Sequence, residues 1–197
     1  RTARLVVVIG LAVLAGIGFY CWKQSQPLPI PHHLQNLGGD FELQSADGKL
    51  ALHDLRGKVV LLYFGYMNCP DVCPLTLSTW ADAFNQLEDA EAEKVRGLLV
   101  SVDPDRDSPE ALKEYTQYFH SNILGVTGNH ATLSEVTWLY RADYSLEHKD
   151  ERKDYRVDHT SFVYVIDPLG KLRGLLAHDS SPKDILKSVR NALKVRI

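Results

Sequence analysis

The chain has 197 residues, 45% of them hydrophobic, and a formal net charge of -3. That is enough for one globular domain plus a tail, and the balanced charge offers no basic surface for nucleic acid. Three cysteines are too few for a disulfide-stapled scaffold, and two of them share one short motif, which directs attention to metal or redox chemistry.

Leu5 to Trp22 carries no charge and is flanked by Arg1 and Arg4 before it and Lys23 after it. The run approaches the roughly 20 residues needed to cross a hydrocarbon core. Tyr20 and Trp22 suit an interface, and the arginines favour a cytoplasmic or matrix N-terminus. We therefore expect a short cytoplasmic or matrix end at 1–4 and a transmembrane anchor at 5–22, with a cleaved signal peptide as the competing reading. Cys21 reads as an isolated thiol at the membrane surface. Residues 23–39, with Pro27, Pro29, Pro31 and then His32-His33, lack periodicity and predict an extended linker, its histidines solvated.

The folded domain is expected over 40–197. Phe41, Leu43, the Asp47-Gly48 turn, Leu50 and Leu52 predict a small hairpin. Val59 to Tyr66 is an almost unbroken apolar and aromatic run, as in a central strand covered on both faces. Cys69-Pro-Asp-Val-Cys73-Pro follows. Pro74 is tolerated only in a first helical turn, so a helix should begin near Cys73 and continue through Leu77, Trp80, Phe84 and Leu87. The free amides and positive dipole end at such a start stabilise thiolate, the form that binds metal or attacks a disulfide. Four-residue spacing puts both sulfurs on one face of a helical turn, where they can converge on one ion or on each other.

Glu88 to Lys94 reads as a charged loop and Val95 to Val102 as a second buried strand. Ser108 as N-cap and Pro109 at the first helical position start a helix running to about Phe119. Gly125 to Asn129 reads as a turn and Thr132 to Tyr140 as a helix. Strands at Tyr144 to Glu147 and Tyr155 to Val157 flank a solvated tip, Lys149 to Asp154. Phe162 to Asp167, the Pro168-Leu169-Gly170 turn, an antiparallel strand over Leu172 to Leu176 and a helix over Pro182 to Val195 close the chain. This order describes an α/β domain with a central mixed β-sheet flanked by helices.

The element order, the Gly57-Lys58-Val59-Val60 strand entry and the cysteines at the next helix are similar to the thioredoxin fold. Two features depart from thioredoxin-like oxidoreductases. Three residues rather than two separate the cysteines, and Val157-Asp158-His159-Thr160-Ser161-Phe162 stands where a cis-proline would be. Together with the Ser101-Val-Asp-Pro-Asp-Arg-Asp-Ser-Pro109 loop, the Thr127-Gly128 turn and Asp158-His159-Thr160, the span from Phe41 onward resembles the Sco/SenC family of copper-binding proteins that assemble respiratory cytochrome oxidase.

The resemblance implies Cys69, Cys73 and His159 as metal ligands, with Cys69 and Cys73 also able to form a redox-active disulfide. Two thiolates and an imidazole are a soft, low-coordinate set suited to Cu(I) and able to serve Cu(II), whereas structural zinc would ask for a fourth ligand. Asp158, beside His159, and Asp103, at a strand end, are expected to orient ligands through hydrogen bonds. Met67 reads as packing near the site.

The function implied is a copper chaperone, rather than an enzyme, that delivers copper for assembly of the CuA centre of cytochrome c oxidase subunit II. One alternative is a membrane-anchored thiol–disulfide oxidoreductase that keeps the CuA-site cysteines reduced. Another is a copper or redox sensor. Because a disulfide offers no thiolates, copper binding also implies a thiol reductant as partner, alongside an upstream copper donor. The expected setting is the bacterial inner membrane with the domain in the periplasm, the mitochondrial inner membrane facing the intermembrane space being the alternative.

Overall fold

The computed structural model describes residues 32–147 and 155–195, together with Gly16. The anchor and most of the linker expected from the sequence lie outside these residues, as does the hairpin tip. Among the described residues no helix is long and apolar enough to cross a membrane.

Strands β1 (Glu42–Ser45) and β2 (Gly48–Ala51) form the expected hairpin. Its turn uses Gly48 at φ +111°, a conformation open to glycine and strained for other residues. The next strand, β3 (Val59–Gly65), is buried at every position. It leads through the cysteine turn into α1 (Val72–Phe84). A single helical turn, α2 (Asp89–Ala92), stands where the sequence reads as a charged loop. Then come β4 (Val95–Ser101), α3 (Pro109–Phe119), β5 (Ile123–Val126) and α4 (His130–Leu139). The hairpin β6 (Tyr144–Glu147) and β7 (Arg156–His159) precedes β8 (Val163–Ile166), β9 (Leu172–Leu176) and α5 (Pro182–Ala192).

The main sheet has the order β5-β4-β3-β8-β9. β4 runs parallel to β3 and to β5, while β8 is antiparallel to β3 and β9. β3 is thus central and covered on both faces, which explains its unbroken apolar sequence. On one face Trp80 of α1 packs edge-on to Tyr63 and fills the space left by Gly97. On the other, Tyr140 packs against Phe64 and Tyr164. Fully burying a large apolar side chain contributes about 1.5–3 kcal/mol, so this layer holds the C-terminal end of β3 firmly.

The folded body starts earlier than the expected boundary at residue 40. Leu34, in a 3-10 turn over His32–Leu34, is 3% exposed, and the amide of Gly38 donates to the carbonyl of Leu139 at 2.8 Å. The proline-rich stretch before it masks this packing in the sequence. β5, whose last two residues fall in the expected turn over Gly125 to Asn129, exists because Gly125 lets the backbone lie against Leu112: a Cβ there would come within 2.8 Å of the Leu112 Cβ.

Candidate metal centre

The cysteine turn leaves the C-terminal end of β3 and enters α1. Asp71 at the N-cap makes no capping hydrogen bond with its side chain. The amide of Cys73 points instead at the sulfur of Cys69, 3.4 Å away. A helix-start amide aimed at sulfur is the arrangement that stabilises thiolate. Cys73 faces inward and is fully buried, whereas Cys69 keeps 8% of its surface open.

His159 ends β7, in register opposite Tyr144. The amide of Thr160 donates to the carbonyl of Asp143, and the Asp143 amide returns a bond to the Thr160 hydroxyl, both at 2.9 Å. Nδ1 of His159 lies 3.2 Å from the Thr160 carbonyl, which can only accept, so Nδ1 carries the proton. The lone pair of Nε2 is left facing the Cys73 sulfur at 3.4 Å. The rings of Tyr63 and Tyr66 stand edge-on to the imidazole, with centroids at 5.7 and 5.8 Å. The donor atoms of Cys69, Cys73 and His159 all lie within 4.8 Å of one another, and among the described residues no other such group of three metal-binding side chains occurs.

The two thiols are coupled. The Cys73 thiol, hydrogen-bonded to the Cys69 sulfur, brings Cys69 down to about 3 against the effect of burial, helped by the amides of Asp71 and Cys73. Cys73 moves the opposite way, above the ordinary thiol range, because of that same bond, its burial and the Cys69 charge. The reduced pair therefore holds one proton, on Cys73, and presents Cys69 as thiolate.

Both aspartates expected to orient ligands lie close by in sequence or space, in different settings. Asp158 is exposed on β7, in register with Ser145, and lines a shallow depression with Asp143, Thr160 and His159. Asp103 is 1% exposed and is gripped by the Tyr155 hydroxyl and, at 2.5 Å, by Nε of Arg106. Asp107, buried in the same loop, accepts from the Met67 amide at 2.9 Å and from the Ser101 hydroxyl at 2.6 Å, tying the start of the cysteine turn to β4. Met67 packs against the core beside the site.

Sequence reasoning did not single out Tyr63, Tyr66, Arg106 or Tyr155. For Tyr63 and Tyr66 the usable signal is their position at the end of the strand that delivers the cysteines. Arg106 and Tyr155 carry no local signal.

A thioredoxin-like α/β domain whose central strand ends at a dithiol and an imidazole defines a narrow class of protein. This chain belongs to the SCO1/SenC family, whose profile matches residues 31–194. A SCO2-like protein of Rickettsia conorii is 38% identical over 197 residues, covering 95% of this chain and 96% of that protein. Yeast Sco1, solved with copper bound, is 34% identical with a TM-score of 0.74, covering 82% of this chain and 91% of the other. BsSco, described as a cytochrome c oxidase assembly protein with a disulfide switch, is 26% identical with a TM-score of 0.64, covering 83% and 96%.

Proposed function

We propose that this protein is a copper chaperone that holds copper as cargo on Cys69, Cys73 and His159 and delivers it for assembly of the CuA centre of cytochrome c oxidase subunit II. The observation that carries this reading is the convergence of two sulfurs and an unprotonated imidazole nitrogen within 4.8 Å at the end of a rigid strand. Soft thiolates with one imidazole select copper over hard cations. The copper bound by yeast Sco1 and the assembly role named for BsSco support it by kinship.

Release proceeds by stepwise ligand exchange, in which an acceptor thiolate or imidazole replaces one donor at a time. Cys69 and His159 are the reachable donors, and the buried Cys73 is the last to be exchanged. In this reading residues 5–22 anchor the protein in the bacterial inner membrane and the domain works in the periplasm, where a thiol reductant must keep the pair reduced.

A second activity is favoured by the unequal thiols. The Cys69 thiolate can attack a substrate disulfide, forming a mixed disulfide and expelling one substrate sulfur as thiolate. Cys73, on losing its proton, then attacks the Cys69 sulfur and releases the second substrate sulfur. The substrate gains two electrons and the protein is left with a Cys69–Cys73 disulfide.

The test is a titration of the reduced chain with Cu(I) against a competing chelator, in the unmodified protein, His159→Ala, and the double variant Cys69→Ser/Cys73→Ser. Tight one-to-one binding, weaker without His159 and lost without the cysteines, is expected. Binding indifferent to His159, or weak in all three, moves the assignment to thiol–disulfide exchange.

A further inference from the structure

The geometry points to Tyr155 and Arg106 as positioning residues for His159: with Asp103 they clamp the hairpin that carries the histidine onto the loop that also holds the cysteine turn. The consequence for copper rests on the copper-chaperone reading above, but the clamp itself does not.

His159 is delivered by a sheet of its own, the two-stranded β6–β7 hairpin, which is not hydrogen-bonded into the main five-stranded sheet. A lone hairpin with strands of four residues is marginal in water. Its position over the cysteines therefore depends on what grips it. Tyr155, just before the second strand, and Val157, on its inner side, are 8% and 4% exposed. The Tyr155 hydroxyl donates to Oδ1 of Asp103, whose Oδ2 takes Nε of Arg106. The Arg106 guanidinium lies over the Tyr155 ring, 3.7 Å from its centroid, with the Tyr66 ring at 5.8 Å. Tyr66 accepts from the Val157 amide at 3.4 Å and stands edge-on to His159.

One loop, through its buried Asp103 and Asp107, thus reaches both halves of the site. Asp107 holds the Met67 amide ahead of Cys69, while Asp103 and Arg106 hold Tyr155, four residues before His159. Guanidinium suits this role, because its planar fork can bond a carboxylate while its face stacks on an aromatic ring, and ammonium cannot do both. The clamp acts on His159 through the hairpin that carries it.

The test uses the whole chain in detergent, with Tyr155→Phe, which keeps the stacked ring and removes only the bond to Asp103, and with Arg106→Lys. In the metal-free reduced protein, histidine-ring nitrogen spectra are expected to show one fixed, Nδ1-protonated ring for His159 and an averaged one in both variants. Copper affinity should fall roughly 10–100-fold in Tyr155→Phe, the usual cost of losing an outer-shell partner. In a His159→Ala background the same substitution should change nothing further, which makes the coupling specific to the histidine. An unchanged ring spectrum, or an equal loss of affinity in both backgrounds, would overturn the clamp. If the unmodified protein binds no copper, the chaperone reading fails and the ring spectra alone decide this one.

Discussion

Gly65 at the end of β3 and Cys73 in the first turn of α1 approach so closely that a Cβ on Gly65 would lie 2.9 Å from the Cys73 sulfur. The same atom would be 3.0 Å from the Tyr63 ring and 3.2 Å from Leu99. The central strand therefore lets the buried Cys73 sulfur seat only because one residue has no side chain. Gly65→Ala must push the sulfur off its place or open the strand, and overpacking of this kind costs about 1–3 kcal/mol. Urea unfolding should show that loss, and a chelator competition should show weaker Cu(I) binding. Unchanged values in both would mean the site tolerates a displaced sulfur.

The proton shared by the thiols sets how copper loading depends on pH. Cys69 is held down to about 3 by its bond with Cys73, whereas Cys73 stays protonated above the ordinary thiol range. In the reduced protein a brief alkylation pulse at mildly acidic pH should label Cys69 and spare Cys73. At neutral pH, loading should release one proton per copper, from Cys73. Calorimetry in two buffers of different ionisation enthalpy counts it, and a release of two would show that Cys69 is an ordinary thiol.

Much of this was legible in the residues. The apolar run over β3, Pro74 after the second cysteine and the Ser108-Pro109 start of α3 each encode a local preference that the fold keeps. β5 was not, because Gly125 and Val126 belong to a stretch that reads as a turn until Leu112 is found lying against that glycine. α2 is a single polar turn without an apolar stripe, so nothing distinguishes it from loop. The candidate ligands could be named, but the grip on His159 could not. Tyr155 and Asp103 lie 52 residues apart, and no periodicity links an aromatic on a hairpin to a carboxylate after β4.

Away from the site, stability and metal affinity should separate. Ser181 caps α5, accepting from the Asp184 amide at 3.3 Å and donating to its carboxylate at 2.6 Å. Ser181→Ala should cost about 1 kcal/mol in urea unfolding. Copper affinity should stay unchanged. A parallel fall in affinity would show that the site responds to global stability, and the losses expected for Gly65→Ala would then need that correction.

Asp107 makes the opposite case, a group where stability and site are tied. It is 1% exposed, and burial raises its carboxyl above the usual range despite its bonds from Ser101 and Met67; among the described residues its Oδ1 has no hydrogen-bond partner. A carboxyl whose folded pKa is raised contributes stability that is fully present below its unfolded value of about 3.9 and is lost as pH rises through the folded value. The unmodified protein should therefore lose stability relative to Asp107→Asn as pH rises from about 4 toward neutrality, since an amide has no charge to bury. Asp107→Ala differs, because it strands the Met67 amide and the Ser101 hydroxyl. That should cost about 1–3 kcal/mol at any pH and loosen the turn that presents Cys69. Denaturant titrations at pH 4 and pH 7 give the difference directly. If Asp107→Asn tracks the unmodified protein at both pH values, the buried carboxyl is not strained, and its bonds to the turn fully offset the cost of burying its charge.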